Sequence, residues 1–259
     1  METLYLQRNG YELFTKLIQH SPENKDKPTL VFLHDSWGCV EMWGEFPEIL
    51  VGLSELNAML YDRQGYGKSS PFAIKKRTEF YLHDEADELI FVLNACGIEN
   101  AILYGHSDGA TIALIAAASY PERFKGLILE GAHSFIEDSG KAAVFATRER
   151  AKETSLLASL EKYHGEKTPE LFRLWHETWL STYFSKWSIV PLFHRITCPV
   201  LAFQGERDDF GSIEQLNILK KEIKTDVSVA EISNAGHTPR KEAEDVTMKL
   251  IKKWFEESF

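Results

Sequence analysis

Leu103-Tyr104-Gly105-His106-Ser107-Asp108-Gly109-Ala110 carries the spacing G-x-S-x-G between an apolar run, Ala101–Tyr104, and a small-residue helical pattern, Gly109–Ser119. A strand that turns at once into a helix forces its corner residue into strained backbone geometry, so the neighbours must be small. Gly105, Gly109 and Ala110 supply that room. The corner side chain, Ser107, is then pushed out beyond the strand. It also stands at a helix N-terminus, where backbone N–H groups and the helix dipole favour negative charge. The bland alternative is a glycine-lined turn with a surface serine.

Outward from this corner, strands and helices alternate. Thr3–Arg8 and Glu12–Gln19 alternate apolar and polar residues around Gly10, as a hairpin does. Thr29–His34, Ala58–Tyr61, Ala101–Tyr104, Gly126–Leu129, Pro199–Phe203 and Val227–Ile232 are short apolar runs of the kind that suits strands of a parallel sheet buried on both faces. Helical patterns cover Met42–Gly52, Thr78–Cys96, Gly109–Ser119, Ser212–Ile223 and Pro239–Glu257. The alternation predicts an α/β fold, a mostly parallel central sheet flanked by helices.

One interval breaks the alternation. Residues 134–195 hold helical periodicity and no strand pattern. They carry nine basic and eight acidic residues, +1, which leaves −11 for the remainder of a chain at −10. The division expected is a core of residues 1–133 and 196–259 with an inserted helical lid over 134–195. Phe172, Trp175, Trp179 and Tyr183 step along one helical face of that lid. They pack the lid onto the body, or some of them, with Trp187 and Phe193, line an apolar pocket.

Composition excludes several classes. With 259 residues, 44% hydrophobic and 26% charged, the chain is ordinary globular protein, neither disordered nor fibrous. The acidic balance argues against nucleic acid as a partner. No apolar run reaches the roughly 18 residues that span a bilayer, and Met1–Gly10 shows no basic segment followed by an apolar one. Cys39, Cys96 and Cys198 form no CxxC pair, so neither a zinc knuckle nor a disulfide framework is expected, and a reducing, cytoplasmic setting is. Gly65-Tyr66-Gly67-Lys68-Ser69 resembles the tail of a phosphate-binding loop, but Asp62 stands where the pattern needs its first glycine. No H-E-x-x-H occurs, which argues against a zinc protease.

A serine hydroxyl is a weak nucleophile and needs a base. Of nine histidines, His237 follows the last strand pattern and precedes the last helix, in Ser233-Asn234-Ala235-Gly236-His237-Thr238-Pro239. His106 adjoins Ser107 and points away from it at a sharp corner. His34 ends a strand and orients the next loop. The other six read as structural or solvated. The base needs an orienting acid. Asp208 and Asp209 follow Gln204-Gly205-Glu206-Arg207 at the end of the penultimate strand; Asp208 is preferred, with Glu130 in reserve. The order Ser, Asp, His is that of one particular fold. The oxyanion formed by attack on a carbonyl needs pre-aimed donors. One is expected to be the backbone N–H of Asp108, the other that of Ser36, or else Trp37, in the loop after Thr29–His34.

Five stretches together resemble the α/β-hydrolase superfamily over essentially the whole length. They are His34-Asp35-Ser36-Trp37-Gly38, Tyr61–Ser69, the corner at Ser107, the acid loop at Asp208 and Gly236-His237. The resemblance implies a lid-bearing, esterase-like serine hydrolase with no metal or organic cofactor, acting on a small to medium ester or carbonyl substrate. A C–C bond hydrolase with the same triad, or a non-catalytic ligand-binding member of the fold, are the alternatives. The family usually has His-Gly where this chain has His34-Asp35. Relatives that open epoxides or cleave alkyl halides use an aspartate at the corner, and Ser107 argues against those activities.

Overall fold

A computed structural model describes residues 1–259, the Lys25 side chain excepted. Eight strands form one sheet: β1 (Glu2–Arg8), β2 (Tyr11–Ile18), β3 (Thr29–Leu33), β4 (Ala58–Tyr61), β5 (Ala101–His106), β6 (Phe124–Glu130), β7 (Val200–Gly205) and β8 (Val227–Ile232). Their spatial order is β1-β2-β4-β3-β5-β6-β7-β8. The hairpin β1–β2 is antiparallel and so is its pairing with β4; from β4 to β8 every neighbour is parallel. This is the α/β fold expected.

The apolar runs are continuous because alternate residues serve opposite faces. Val31, Leu33, Leu103, Leu127 and Ala202 face one core, together with α2 (Tyr81–Ala95) and α3 (Asp108–Ser119). Leu30, Phe32, Tyr104, Ile128 and Phe203 face the other, against α1 (Phe46–Ser54) and the C-terminal helix. The tail expected as one helix over Pro239–Glu257 is two, α8 (Pro239–Glu242) and α9 (Glu244–Ser258), because Ala243 adopts φ −143, ψ 52. The intervening α4 (Asp138–Ala151), α5 (Leu156–His164), α6 (Thr168–Trp179) and α7 (Glu214–Glu222) complete the set.

Between β6 and β7 no strand of the sheet intervenes. α4, α5 and α6 fill most of the interval, and its two ends meet: Phe135 bridges Ser188, and Ile189 N–H donates to the Ser134 carbonyl at 2.9 Å. Among the described residues no helix is long and apolar enough to cross a membrane.

The strand order sets where a site can form. The chain leaves β3 towards β4 on one side, and leaves β5 towards β6 on the other. Loops that diverge from adjacent parallel strands open a crevice at the carboxyl ends of those strands. The loops after β3 and β5 are the ones that hold Ser36 and Ser107.

Candidate active site

Ser107 is the corner between β5 and α3, with φ 54 and ψ −118. A non-glycine residue there costs roughly 1–3 kcal/mol and persists only where its surroundings over-determine it. They do. Ser107 N–H donates to the Glu130 carbonyl at 2.8 Å, and its own carbonyl accepts from Thr111 N–H at 3.1 Å. A Cβ on Gly105 would strike the Gly109 carbonyl, and one on Gly109 would strike the Leu33 carbonyl. The glycines are thus required by close approach of α3 to β3 and β5.

His237 lies in the loop after β8, and its Nδ1 donates to Asp208 Oδ2 at 2.8 Å. The Asp208 side chain is 1% exposed and that of His237 20%. The other Asp208 oxygen accepts Phe210 N–H at 2.9 Å, so the carboxylate cannot swing. Burial pushes the Asp208 carboxyl up, but the His237 charge, that hydrogen bond and Phe210 N–H outweigh it and hold the group below its ordinary range. Burial pushes the His237 imidazole down, and the Asp208 carboxylate, with help from Asp35 and Glu130, more than reverses it. Asp209 is exposed. Glu130 is fully buried and committed elsewhere: it pairs with the Arg240 guanidinium, accepts Arg240 N–H at 2.8 Å and accepts the Tyr104 hydroxyl at 3.0 Å.

The loop after β3 carries Ser36 and Trp37. Trp37 N–H is already spent, donating to Asp35 Oδ1 at 2.8 Å. Among the described residues Ser36 N–H and Asp108 N–H donate to no group of the chain. Arg63 fixes this loop from below, donating to the carbonyls of His34 and Asp35 at 3.1 and 2.7 Å. Its neighbour Asp62 ties down a different loop, accepting Val40 N–H and Lys68 N–H at 2.6 and 2.7 Å.

Ser107 and His237 line one cavity of about 270 Å³, with Asp35, Ser36, His106 and His133 among its polar residues. Its apolar side includes Trp37, Met42, Val144, Trp175, Trp179 and Phe210. Of the aromatic stripe, then, Trp175 and Trp179 reach the cavity. Phe172 instead packs on Trp37 at 5.8 Å, Tyr183 lies beyond the end of α6 and donates to the Arg77 carbonyl at 2.9 Å, and Trp187 stacks on Phe184. Phe193 is buried in the turn Val190–Arg195, away from the cavity lining.

His133 is the residue that sequence reasoning missed. The sequence groups it with the structural or solvated histidines, whereas it lines the cavity with its ring 5.9 Å from that of His237 and edge-on to Trp179 at 5.0 Å. Burial, reinforced by His237, keeps it neutral. One signal pointed to it: like the other site residues it follows the carboxyl end of a strand, here β6.

Comparison with known proteins adds the following. A family model described as alpha/beta hydrolase fold matches residues 28–161. A human protein named Serine hydrolase BPHL is 26% identical over 185 residues, 66% of this chain and 62% of its own length. A 2-(acetamidomethylene)succinate hydrolase of Mesorhizobium japonicum is 23% identical over 256 residues, 88% of each chain. Among solved structures, an alpha/beta hydrolase enzyme from a Medee basin deep-sea metagenome library superposes with a TM-score of 0.75 at 18% identity, covering 99% of this chain and 98% of its own. A structure reported with carboxylesterases of Nitrososphaera gargenis gives 0.75 at 18%, covering 100% of both chains.

Proposed function

Since the chain belongs to the alpha/beta hydrolase fold family, we propose that it is a serine hydrolase working through Ser107, His237 and Asp208. The observation that carries this is the Asp208–His237 hydrogen bond of 2.8 Å beside a strained Ser107 in one cavity. His237 Nε2 takes the Ser107 hydroxyl proton as Oγ attacks a carbonyl carbon. Asp208 holds Nδ1–H and stabilises the imidazolium that forms. The oxyanion is received by Ser36 N–H and Asp108 N–H, both without another partner. His237 then protonates the departing alcohol, leaving an acyl-serine. Water, deprotonated by His237, attacks this ester; the carboxylic acid leaves and Ser107 recovers its proton.

The cavity volume, about 270 Å³, falls just under the range of ligand sites, roughly 300–1,000 Å³. Its apolar wall fits a short acyl or alkyl group, so the substrate is a small to medium carboxylic ester. Residues 134–195 act as a cap: Gly140, Val144, Trp175 and Trp179 of that stretch close one side of the cavity. A second reading, cleavage of a carboxylate-bearing carbonyl substrate including C–C bonds, is favoured by Lys241. It lines the cavity and forms no ion pair among the described residues.

Short p-nitrophenyl esters assayed beside a ring-cleavage-type dienoate separate the two. Ester turnover is expected, with kcat in Ser107→Ala lowered by about 10⁴-fold or more. Undiminished ester hydrolysis by Ser107→Ala contradicts the assignment.

A further inference from the structure

Asp35 occupies the position where the family resemblance leads one to expect glycine, and it places a carboxylate in the wall of the cavity. Neither of its oxygens is idle. Oδ1 accepts Trp37 N–H at 2.8 Å, and Oδ2 faces His106 Nδ1 at 3.2 Å. The His106 ring is buried, and its other nitrogen, Nε2, lies 2.9 Å from the backbone carbonyl of His237. One chain of contacts thus joins the loop after β3, the corner after β5 and the loop that carries the proposed base.

The proton count along this chain is informative. A carbonyl oxygen only accepts, so His106 Nε2 donates to it. An ionised carboxylate likewise only accepts, so both ring positions of His106 face acceptors. Burial pushes the Asp35 carboxyl up, but the His106 contact, Trp37 N–H and Arg240 together hold it well below its ordinary range. The His237 ring lies 5.1 Å from that of His106, so the chain of contacts ends directly beside the proposed base.

We propose that Asp35 and His106 are a second pair of positioning residues for His237: Asp208 orients its ring, while His106, held in place by Asp35, fixes its backbone. This rests on the triad reading above. The His237 loop needs such an anchor. Its other fastenings, Gly236 N–H and Thr238 N–H to Glu242 at 2.7 and 3.0 Å, flank the base, and only the His106 contact holds the His237 peptide carbonyl itself. By occupying Trp37 N–H, Asp35 also leaves Ser36 N–H as the free donor of its loop.

The test uses the full chain with p-nitrophenyl butyrate, a neutral substrate, and the variants Asp35→Asn, His106→Gln and His106→Ala. Asp35→Asn and His106→Ala are expected to lower kcat about 10- to 100-fold with little change in KM. His106→Gln, which keeps one donor, recovers part of the loss. The double variant Asp35→Asn/His106→Ala loses no more than the worse single one, because one chain is broken twice. In Asp35→Asn the acid limb of kcat/KM moves to lower pH, since a carboxylate that favours charged His237 is gone; a merely structural role leaves that limb in place. Nitrogen-15 spectra of histidine-labelled protein near pH 7 give a readout independent of turnover. The His106 Nε2, identified by its loss in His106→Gln, is expected to carry a hydrogen-bonded proton, and its resonance shifts in Asp35→Asn. A His106 Nε2 that carries no proton in the parent protein, wild-type kcat in Asp35→Asn, or an Asp35→Asn defect confined to KM overturns the pair. Absent ester turnover in the parent protein counts against the hydrolase reading, and the spectra alone then decide the pair.

Discussion

Ser107, Asp208 and His237 show how much a single residue's surroundings determine its chemistry. The Asp208 carboxylate raises His237 above its ordinary value of about 6.5 despite burial. As the proposed base, His237 must be neutral to act, so kcat/KM is expected to rise with pH through an inflection above about 6.5. In Asp208→Asn the inflection moves down and kcat falls by about 10⁴-fold; a pH–rate profile of both proteins checks this, and an unmoved inflection contradicts it. Strain at Ser107 has a stability signature of its own. Its φ of 54 disfavours any residue with a Cβ. Ser107→Gly is therefore expected to be inactive yet to melt above Ser107→Ala. The strain relieved, about 1–3 kcal/mol, exceeds the roughly 0.5–1 kcal/mol by which glycine's extra freedom penalises folding. Equal melting temperatures contradict the idea that the corner is strained. At this scale the sequence was legible where chemistry follows chain position. The proposed serine, acid and base each stand just past a strand end. It was silent where only juxtaposition matters: that Asp208 rather than Asp209 meets His237, or that His133 enters the cavity.

Among elements, α5 shows how the inserted helices are held. His164, its last residue, accepts Gly67 N–H on Nδ1 at 2.9 Å and donates from Nε2 to the Trp37 carbonyl at 2.7 Å. Lys167, just beyond, donates to the carbonyls of Gly67 and Ser69 at 2.5 and 2.7 Å. The helical stretch is thereby tied to the loop that carries Ser36. Burial pushes the His164 imidazole down, and a protonated Nδ1 cannot accept the Gly67 N–H. The folded state therefore favours neutral His164. Its stabilisation is complete above the ordinary pKa of about 6.5 and is lost as pH falls through it towards the depressed folded value. His34 and His133 are depressed in the same sense. The melting temperature should drop as pH is lowered from 7.5 to 5, and less steeply in His164→Gln, whose amide supplies a non-titrating acceptor and donor. Parallel melting curves for the two proteins contradict this role. Strand patterns were readable because both faces of the sheet are buried. Helix ends were not: the periodic tail continues across Ala243, where the backbone breaks, and the aromatic stripe from Phe172 runs past Trp179, where α6 stops.

Across the whole molecule, topology gathers residues far apart in the chain. Asp35, Ser107, His133, Asp208 and His237 all follow carboxyl ends of parallel strands, on either side of the point where the loops after β3 and β5 diverge. That arrangement was implied by the order of apolar runs in the sequence, and with it the α/β fold. Neither the cavity, shaped by Trp175 and Trp179 from one stretch and Phe210 from another, nor the contacts joining Asp35, His106 and His237 had a pattern in the sequence to announce them. The central claim is that this gathering activates Ser107. Labelling with a fluorophosphonate, read by intact mass on the parent protein, Ser107→Ala and His237→Ala, tests it most directly. One adduct on the parent, none on Ser107→Ala and greatly slowed labelling of His237→Ala are expected. A folded parent protein that takes no adduct, or a Ser107→Ala protein that labels as readily as the parent, contradicts the account.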